Sequence, residues 1–134
     1  PLVSDLSPTS ATPGQRLRAL FEDVGRAPLD AVLASAEALY APDVSFQDPL
    51  QRLEGRAAYL EMVARLVERS RTLRFDVGAL VESPSDVLMT WRMDLRPRRG
   101  PRVLSDGATH CRLRPDGRVV WHRDYWDVVG DVVG

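Results

Sequence analysis

Lysine is absent from this chain of 134 residues, in which all 18 basic residues are arginine. Its absence excludes a Schiff base between a lysine amine and a carbonyl substrate. We interpret the arginines as a compositional bias, in preference to a set of bidentate anion contacts. A surplus of positive charge is also lacking, because the formal net charge is -1. Phosphate binding usually needs such a surplus, so we expect no nucleic acid as the main partner.

Cysteine and long apolar runs are scarce too. Cys111 is the single cysteine, so no intramolecular disulfide can form, which predicts a reducing, cytoplasmic compartment. No stretch is long and apolar enough to cross a bilayer, so we expect no membrane partner. Residues 1–11 lack the basic start and apolar core of a signal peptide. We therefore predict a flexible lead-in over residues 1–11 and a single domain over residues 12–134.

Motifs for metals and nucleotide phosphates are missing as well. His110 and His122 do not combine with the aspartates at a spacing typical of a metal site. No glycine-rich loop is present that could hold a phosphate. Cys111 has no convincing histidine partner in the sequence, which favours a buried, inert thiol. The sequence therefore predicts neither a metal nor a cofactor.

Helical periodicity dominates the first half of the chain. In "TPGQRLRALFEDVG", Thr12 and Gln15 have the spacing of a capping box, and apolar residues recur every three or four positions. The segment "APLDAVLASAEALYAPD" predicts a second helix that stops before Pro42, and "GRAAYLEMVARLVERSR" predicts a third that begins at Gly55. Between these two helices, "DVSFQDPL" is short and extended and then turns at Asp48.

After residue 72 the apolar period changes to two, which indicates strands. We predict four of them, with turns between them and a tight hairpin at Asp116 and Gly117. Their sequences are "TLRFDVGALVE", "DVLMTWRMDLRP", "RVLSDGATHCRLR" and "RVVWHRDYWDVV". Helices followed by antiparallel strands imply an α+β fold, in which a bent sheet could leave a conical pocket beneath the helices.

Charged groups share faces of two of these strands. In the last strand His122, Asp124 and Trp126 lie on one face, and in "MTWRMDL" Arg92 and Asp94 lie on one face. Two carboxylates joined by a guanidinium could serve as a base and an acid in a pocket. The alternative is a cross-strand salt bridge on an exposed face of the sheet. The alternation alone leaves open which face meets the core.

The segments "ALYAPDVSFQDP" and "DGATHCRLRPDGRVVWHRDYWD", with a helix starting at Gly55 between them, resemble the nuclear transport factor 2-like superfamily. This superfamily includes SnoaL-like polyketide cyclases, ketosteroid isomerases and limonene epoxide hydrolases, and the resemblance covers roughly residues 13–127. It implies a cone-shaped α+β barrel, in which a strongly bent, mostly antiparallel sheet wraps around three N-terminal helices and a deep apolar cavity. It also implies that Asp124 faces this cavity and that two copies form a homodimer through the sheet.

Similarity to ketosteroid isomerases implies a catalytic base at Asp48, in the segment before the third helix. The positions of their two oxyanion-hole donors hold Phe21, or a neighbour, and Thr109. The usual donors are therefore missing. Asp48 also has a structural interpretation, because aspartate before proline is common in turns.

Similarity to limonene epoxide hydrolases implies a set of an acid, an arginine and a base. The segment "WRMDL" supplies Arg92 and Asp94, and "HRDYWD" supplies Asp124. The tyrosine and asparagine that hold water in those enzymes are replaced here by Phe46 and Asp48.

The sequence therefore predicts a small-molecule-binding domain whose partner is a small apolar molecule. One hypothesis is an epoxide hydrolase without a cofactor, in which Asp124 deprotonates water, Asp94 protonates the epoxide oxygen and Arg92 bridges both carboxylates. Asp48 and His122 would help to position the water. The alternatives are a domain that binds an apolar metabolite without changing it, and a polyketide cyclase or isomerase with Asp48 or Asp124 as its base. The predicted ligand-binding residues are Phe21, Phe46, Thr109, His122 and Trp126.

Overall fold

The computed structural model describes residues 11–127 and 132–133. Within these residues, three helices and seven strands follow one another as α1 Pro13–Asp23, α2 Leu29–Leu39, β1 Tyr40–Gln47, β2 Arg52–Glu54, α3 Arg56–Glu68, β3 Ser70–Glu82, β4 Asp86–Pro97, β5 Arg102–Leu113, β6 Val119–Trp126 and β7 Val132–Val133. The predicted lead-in lies outside the described residues except for Ala11, and so do residues 128 and 129 at the end of the last predicted strand.

Helix α1 begins at the predicted capping box, which is confirmed. The Thr12 hydroxyl oxygen accepts a hydrogen bond from the Gln15 amide at 3.1 Å, and the Gln15 side chain accepts one from the Thr12 amide at 2.9 Å. The apolar face of the helix buries Leu17, Leu20 and Phe21 in the core. These contacts place α1 over the sheet, against β3.

Helix α2 ends one residue before Tyr40, which is the last residue of the apolar pattern that predicts this helix. Leu39 is its last residue, and Tyr40 has the extended backbone angles φ -95° and ψ 138°. Proline at position 42 has no amide hydrogen and disfavours helical geometry in the residue before it, so the helix cannot continue. Tyr40 instead begins β1, pairs with Val119 of β6 and is fully buried.

The strands form one sheet in the order β2-β1-β6-β5-β4-β3, with β7 paired to β5. Neighbouring strands are antiparallel except β1 and β6, which are parallel. The two outer strands, β2 and β3, do not pair with each other, so the sheet remains open. Register shifts interrupt several strand pairs, and such irregularities let a sheet bend.

The fold is the expected α+β cone, in which a bent, mostly antiparallel sheet wraps around three helices. One difference concerns the order of elements, because β1 and β2 precede the third helix. The inner face of the sheet carries Val87, Met89 and Trp91 of β4, all buried in the core. None of the helices in the described part of the chain is long and apolar enough to span a membrane.

Candidate active site

A cavity of about 60 Å³ lies between the helices and the inner face of the sheet. Its walls are mostly apolar and include Leu20, Phe21, Phe46, Met62, Leu66 and Phe75. Among the described residues that line it, Tyr59 and Asp124 bring polar atoms, and Asp124 alone carries a charge. The cavity therefore combines apolar walls with one carboxylate.

Asp124 reaches the cavity from β6, opposite Thr109 of β5. Its Oδ1 atom accepts two short hydrogen bonds, from the Thr109 hydroxyl at 2.6 Å and from Nε2 of His122 at 2.6 Å. The carboxylate side chain is 15% exposed. Both of these bonds fall on Oδ1, so Oδ2 is the oxygen that can meet a molecule in the cavity.

His122 lies behind Asp124, because residues two apart on a strand face the same side. Its side chain is 1% exposed, and its Nδ1 atom lies 2.8 Å from the Tyr40 hydroxyl. The Tyr59 hydroxyl donates to the Tyr40 hydroxyl at 3.1 Å. A continuous buried chain of hydrogen bonds therefore runs from Tyr59 through Tyr40 and His122 to Asp124.

The charges of these four hydrogen-bonded residues follow from burial and proximity. Burial alone lowers the pKa of His122, but attraction to the Asp124 carboxylate and a contribution from Cys111 outweigh it and raise the pKa to about 10. His122 is then an imidazolium at neutral pH, and Nε2–H donates to Asp124. Burial raises the pKa of the Tyr40 and Tyr59 phenols, so both remain neutral hydroxyl groups.

A second set of contacts holds Asp124 from the side of β4. The Trp91 indole N–H donates to the Thr109 hydroxyl oxygen at 2.8 Å, which directs the hydroxyl hydrogen of Thr109 to Asp124. The indole lies directly against Gly107, where a Cβ atom would be 2.3 Å from the Trp91 ring. Glycine at this position lets Trp91 lie close to β5. The carboxylate is therefore oriented by neighbours on two strands.

The structure brings five of the predicted site residues to this region. Phe21, Phe46 and Asp124 line the cavity. Thr109 and His122 are buried behind the carboxylate and contact it directly, so they orient it and do not line the cavity. The predicted ligand-binding residue Trp126 lies on the same face of β6 and packs against the core, but it does not line the cavity.

Arg92 and Asp94 do not join Asp124, so the expectation of one shared cavity is wrong for these two residues. Arg92 lies opposite Asp106 and donates to it at 2.8 Å, with side-chain exposures of 65% and 70%. Asp94 accepts two bonds from Arg102, at 2.9 and 2.7 Å. The reason is strand alternation. Trp91 faces the core, so Arg92, the next residue, and Asp94, two positions after Arg92, face outward. The cross-strand salt bridge, left open as the alternative, is the observed arrangement for Arg92.

Asp48 also lies apart from the cavity. Its Oδ1 accepts the amide hydrogens of Leu50 and Gln51, at 2.8 and 3.0 Å, and its Oδ2 accepts the Gln51 side-chain amide at 3.2 Å. These bonds close the turn between β1 and β2. In the structure Asp48 is a turn residue, as its structural interpretation proposed.

Tyr40 and Tyr59 are not among the predicted site residues, because both fall in segments whose apolar spacing predicts helices. The available signal is chemical: a buried phenol needs a partner for its hydroxyl group. Their rings are stacked with centroids 4.5 Å apart, which brings the two hydroxyls together. In the described part of the chain, no three His, Cys, Asp or Glu side chains cluster as a metal site would require.

Comparison with known proteins agrees with this fold. The family model of the SnoaL-like domain matches residues 17–122. No curated protein matches the chain.

Solved structures with the same fold include an LEH-like epoxide hydrolase of M. tuberculosis, with 17% identity and a TM-score of 0.71 over 87% of this chain and 83% of that one. An NTF2-like protein of unknown function from Exiguobacterium sp. 255-15 has 18% identity and a TM-score of 0.74, covering 88% and 100% of the two chains. A provisionally assigned SnoaL-like polyketide cyclase from Jannaschia sp. CCS1 has 21% identity and a TM-score of 0.75, covering 93% of this chain and 92% of that one. At these identities the likeness shows the fold alone.

Proposed function

This chain belongs to the SnoaL-like domain family, and on that premise we propose that it is a cofactor-independent enzyme of the cyclase or isomerase type. In this proposal Asp124 takes a proton from an activated carbon of a small, mostly apolar molecule. The same carboxyl group then returns the proton at another atom of that molecule.

The observation that carries the proposal is the position of Asp124 on an apolar cavity. Two neighbours hold Oδ1 by hydrogen bonds of 2.6 Å, and Oδ2 is left for the substrate. A positioned carboxylate is a recognised general base for a proton next to a carbonyl group. Orienting groups that are already in place lower the cost of reorganisation during the reaction.

The negative charge formed on the substrate also needs partners. When Asp124 accepts the proton, it becomes neutral, and the buried His122 imidazolium remains as a positive charge beside the cavity. Tyr59 lines the same cavity and carries a hydroxyl donor that could turn from Tyr40 to an enolate oxygen. These two residues would stabilise the intermediate without any change in their own protonation.

Proton transfer by one group is better supported than epoxide hydrolysis by two carboxylates. In the hydrolase hypothesis Asp94 protonates the epoxide oxygen, yet Asp94 pairs with Arg102 on the outer face of the sheet. A single carboxylate that takes and returns one proton needs no second acid. Binding of a metabolite without reaction is the other hypothesis, and the experiment below separates it from catalysis.

The test measures the exchange of substrate protons for deuterium in D₂O. The exchange is monitored by NMR for a panel of small cyclic and acyclic ketones and terpene-like epoxides. We expect exchange by the wild type and a loss of about 10²- to 10⁴-fold in Asp124→Asn. Asp106→Asn is the matched control, because Asp106 is a carboxylate on the outer face.

Three outcomes would contradict the proposal. Compounds that bind but exchange no faster than in buffer would indicate a binding domain. Exchange by Asp124→Asn at the wild-type rate would place the base elsewhere. Epoxide turnover that requires both Asp94 and Asp124 would favour the hydrolase.

We also propose that two copies associate through the outer face of the sheet, as the family resemblance implies. Leu88 and Tyr125 are large hydrophobic residues on that face with exposures of 49% and 46%. Sedimentation of the wild type and of Leu88→Asp would test this, and a monomeric wild type would contradict it.

A further inference from the structure

A groove leads outward from the cavity at the end of helix α3. Met62 and Leu66 line both the cavity and the groove, so the two spaces meet at these side chains. Arg65 and Arg69 each follow one of them by three residues, about one helical turn, and line the groove. A molecule that enters between Met62 and Leu66 therefore leaves its outer end beside Arg65 and Arg69.

The positive charge of this groove is poorly compensated. None of the described residues that line it is a carboxylate. Arg65 has Glu61 at 3.9 Å, but both side chains are more than half exposed, and such pairs are weak. Among residues 11–127, no carboxylate forms an ion pair with Arg69. Both guanidinium groups can therefore accept another anion as a partner.

A second arginine-lined groove adjoins the first and shares Pro97 with it. Its four arginines are Arg71, Arg96, Arg98 and Arg102, of which Arg102 is paired with Asp94, and no described carboxylate lines it. The segment "LRPRRGPR", residues 95–102, contains four arginines and no acidic residue. The chain as a whole has a net charge of -1, so a general bias toward arginine does not explain this local excess. The fold concentrates it near the mouth of the cavity.

We propose that the molecule on which Asp124 acts carries an anionic group, a carboxylate or a phosphate ester, that binds Arg65 and Arg69 while its apolar part enters the cavity. Guanidinium groups match both anions because they donate two parallel hydrogen bonds. The inference rests on the proposed function for the role of Asp124, but binding at the arginines is measurable without turnover. A polyanion lying along both grooves is the competing occupant.

The test compares the binding of hexanoate, hexyl phosphate and the neutral methyl hexanoate to the full chain, by NMR titration at low salt. We expect at least one anion to bind about tenfold more tightly than the ester. This preference should weaken as salt rises. The anion whose affinity exceeds that of the ester by the larger factor identifies the anionic group of the substrate. In Arg65→Gln/Arg69→Gln the preference should disappear while the ester binds as before.

Arg16→Gln/Arg118→Gln is the matched control, because neither residue lines the two grooves, and it should keep the preference. Equal binding of anions and ester by the wild type, or a preference that survives in Arg65→Gln/Arg69→Gln, would overturn the proposal. An oligonucleotide that binds more tightly than either small anion would also overturn it, in favour of a polyanion. Asp124→Asn should retain the preference, so failure of the proposed reaction and failure of the anion site give different results.

Discussion

Two histidine–aspartate pairs lie on opposite faces of the same sheet and differ mainly in burial. On the inner face His122 and Asp124 are 2.6 Å apart, with side-chain exposures of 1% and 15%. On the outer face His110 and Asp86 are 2.7 Å apart, with exposures of 23% and 40%. The interatomic distances alone do not distinguish the two pairs.

Their surroundings give the two pairs different properties. Aromatic rings enclose His122, and the carboxylate of Asp124 raises its pKa to about 10 against the effect of burial. At the outer pair the hydrogen bond from His110 lowers the pKa of Asp86, while solvent screens the charges. The comparison shows that burial, and not contact distance, makes an ion pair strong enough to define a site.

The largest expected difference between the two pairs concerns stability. His122→Ala removes the charged partner of the buried Asp124 carboxylate and one hydrogen-bond partner of the Tyr40 hydroxyl, and it opens a void, so we expect a loss of about 3 kcal/mol or more in the free energy of unfolding. His110→Ala should cost much less, because water can replace its partner. Urea unfolding of both variants measures this. Equal losses would mean that the two faces do not differ as described.

Two glycines sharpen the same comparison. A Cβ at Gly107 would lie 2.3 Å from the Trp91 ring, so Gly107→Ala should displace the indole from Thr109 and cost about 1–3 kcal/mol. A Cβ at Gly78 would lie 2.8 Å from the Thr90 hydroxyl oxygen, on an exposed side chain whose displacement costs one exposed hydrogen bond from the Ala79 amide. Gly78→Ala should therefore cost about 1 kcal/mol or less. Thermal unfolding compares them, and a larger loss for Gly78→Ala would contradict the assignment of Trp91 to the tightly packed face.

The inner pair should also make the free energy of unfolding depend on pH. Folded His122 keeps its proton up to about pH 10. The unfolded chain releases it near pH 6.5. Between these values the folded state binds more protons, so its stability is fully present below about pH 6.5 and falls as pH rises, by at most about 1.4 kcal/mol per pH unit.

The measurement is an NMR titration of the His122 ring, with urea unfolding at each pH. Asp124→Asn is the control, because loss of the carboxylate removes the largest influence that opposes burial, so the pKa of His122 should drop. An imidazole that titrates near pH 6.5 in the folded wild type would refute the ion pair.

The smallest effects are expected on the outer face. Arg92→Gln and Asp94→Asn remove exposed or half-exposed ion pairs, so both should retain the wild-type exchange rate within about twofold and a similar melting temperature. Rate assays and thermal melts measure these quantities. A hundredfold loss of activity in either variant would restore the three-residue set that the sequence suggested.

Local chemistry made much of the fold predictable. The capping box at Thr12 and Gln15 placed the start of α1, and the segment "DVLMTWRMDLRP" coincides with β4. The prediction failed at Tyr40, where the apolar pattern continued the helix but the following proline ended it. Apolar spacing cannot tell a buried helical position from a buried strand position when only one residue is at stake.

The candidate site was predictable only in part. Asp124 and His122 share a face by alternation, and the family resemblance turned that face inward. The same alternation grouped Arg92 with Asp94 but could not show that Trp91, between Met89 and Met93, turns toward the core. Tyr40 and Tyr59 are distant in sequence from Asp124, so no local pattern connected them.

By itself the sequence determined the three helices, the strands β3 to β6 and the two faces of each of these strands, because capping, proline geometry and alternation act between residues a few positions apart. Only the tertiary structure decided which charged groups are buried, since burial depends on the packing of distant segments against each face. That packing placed the Asp124 carboxylate on the cavity beside His122 and left pairs such as Arg92–Asp106 exposed to solvent. The physical cause is the cost of removing a charge from water, which only a complete set of partners can offset.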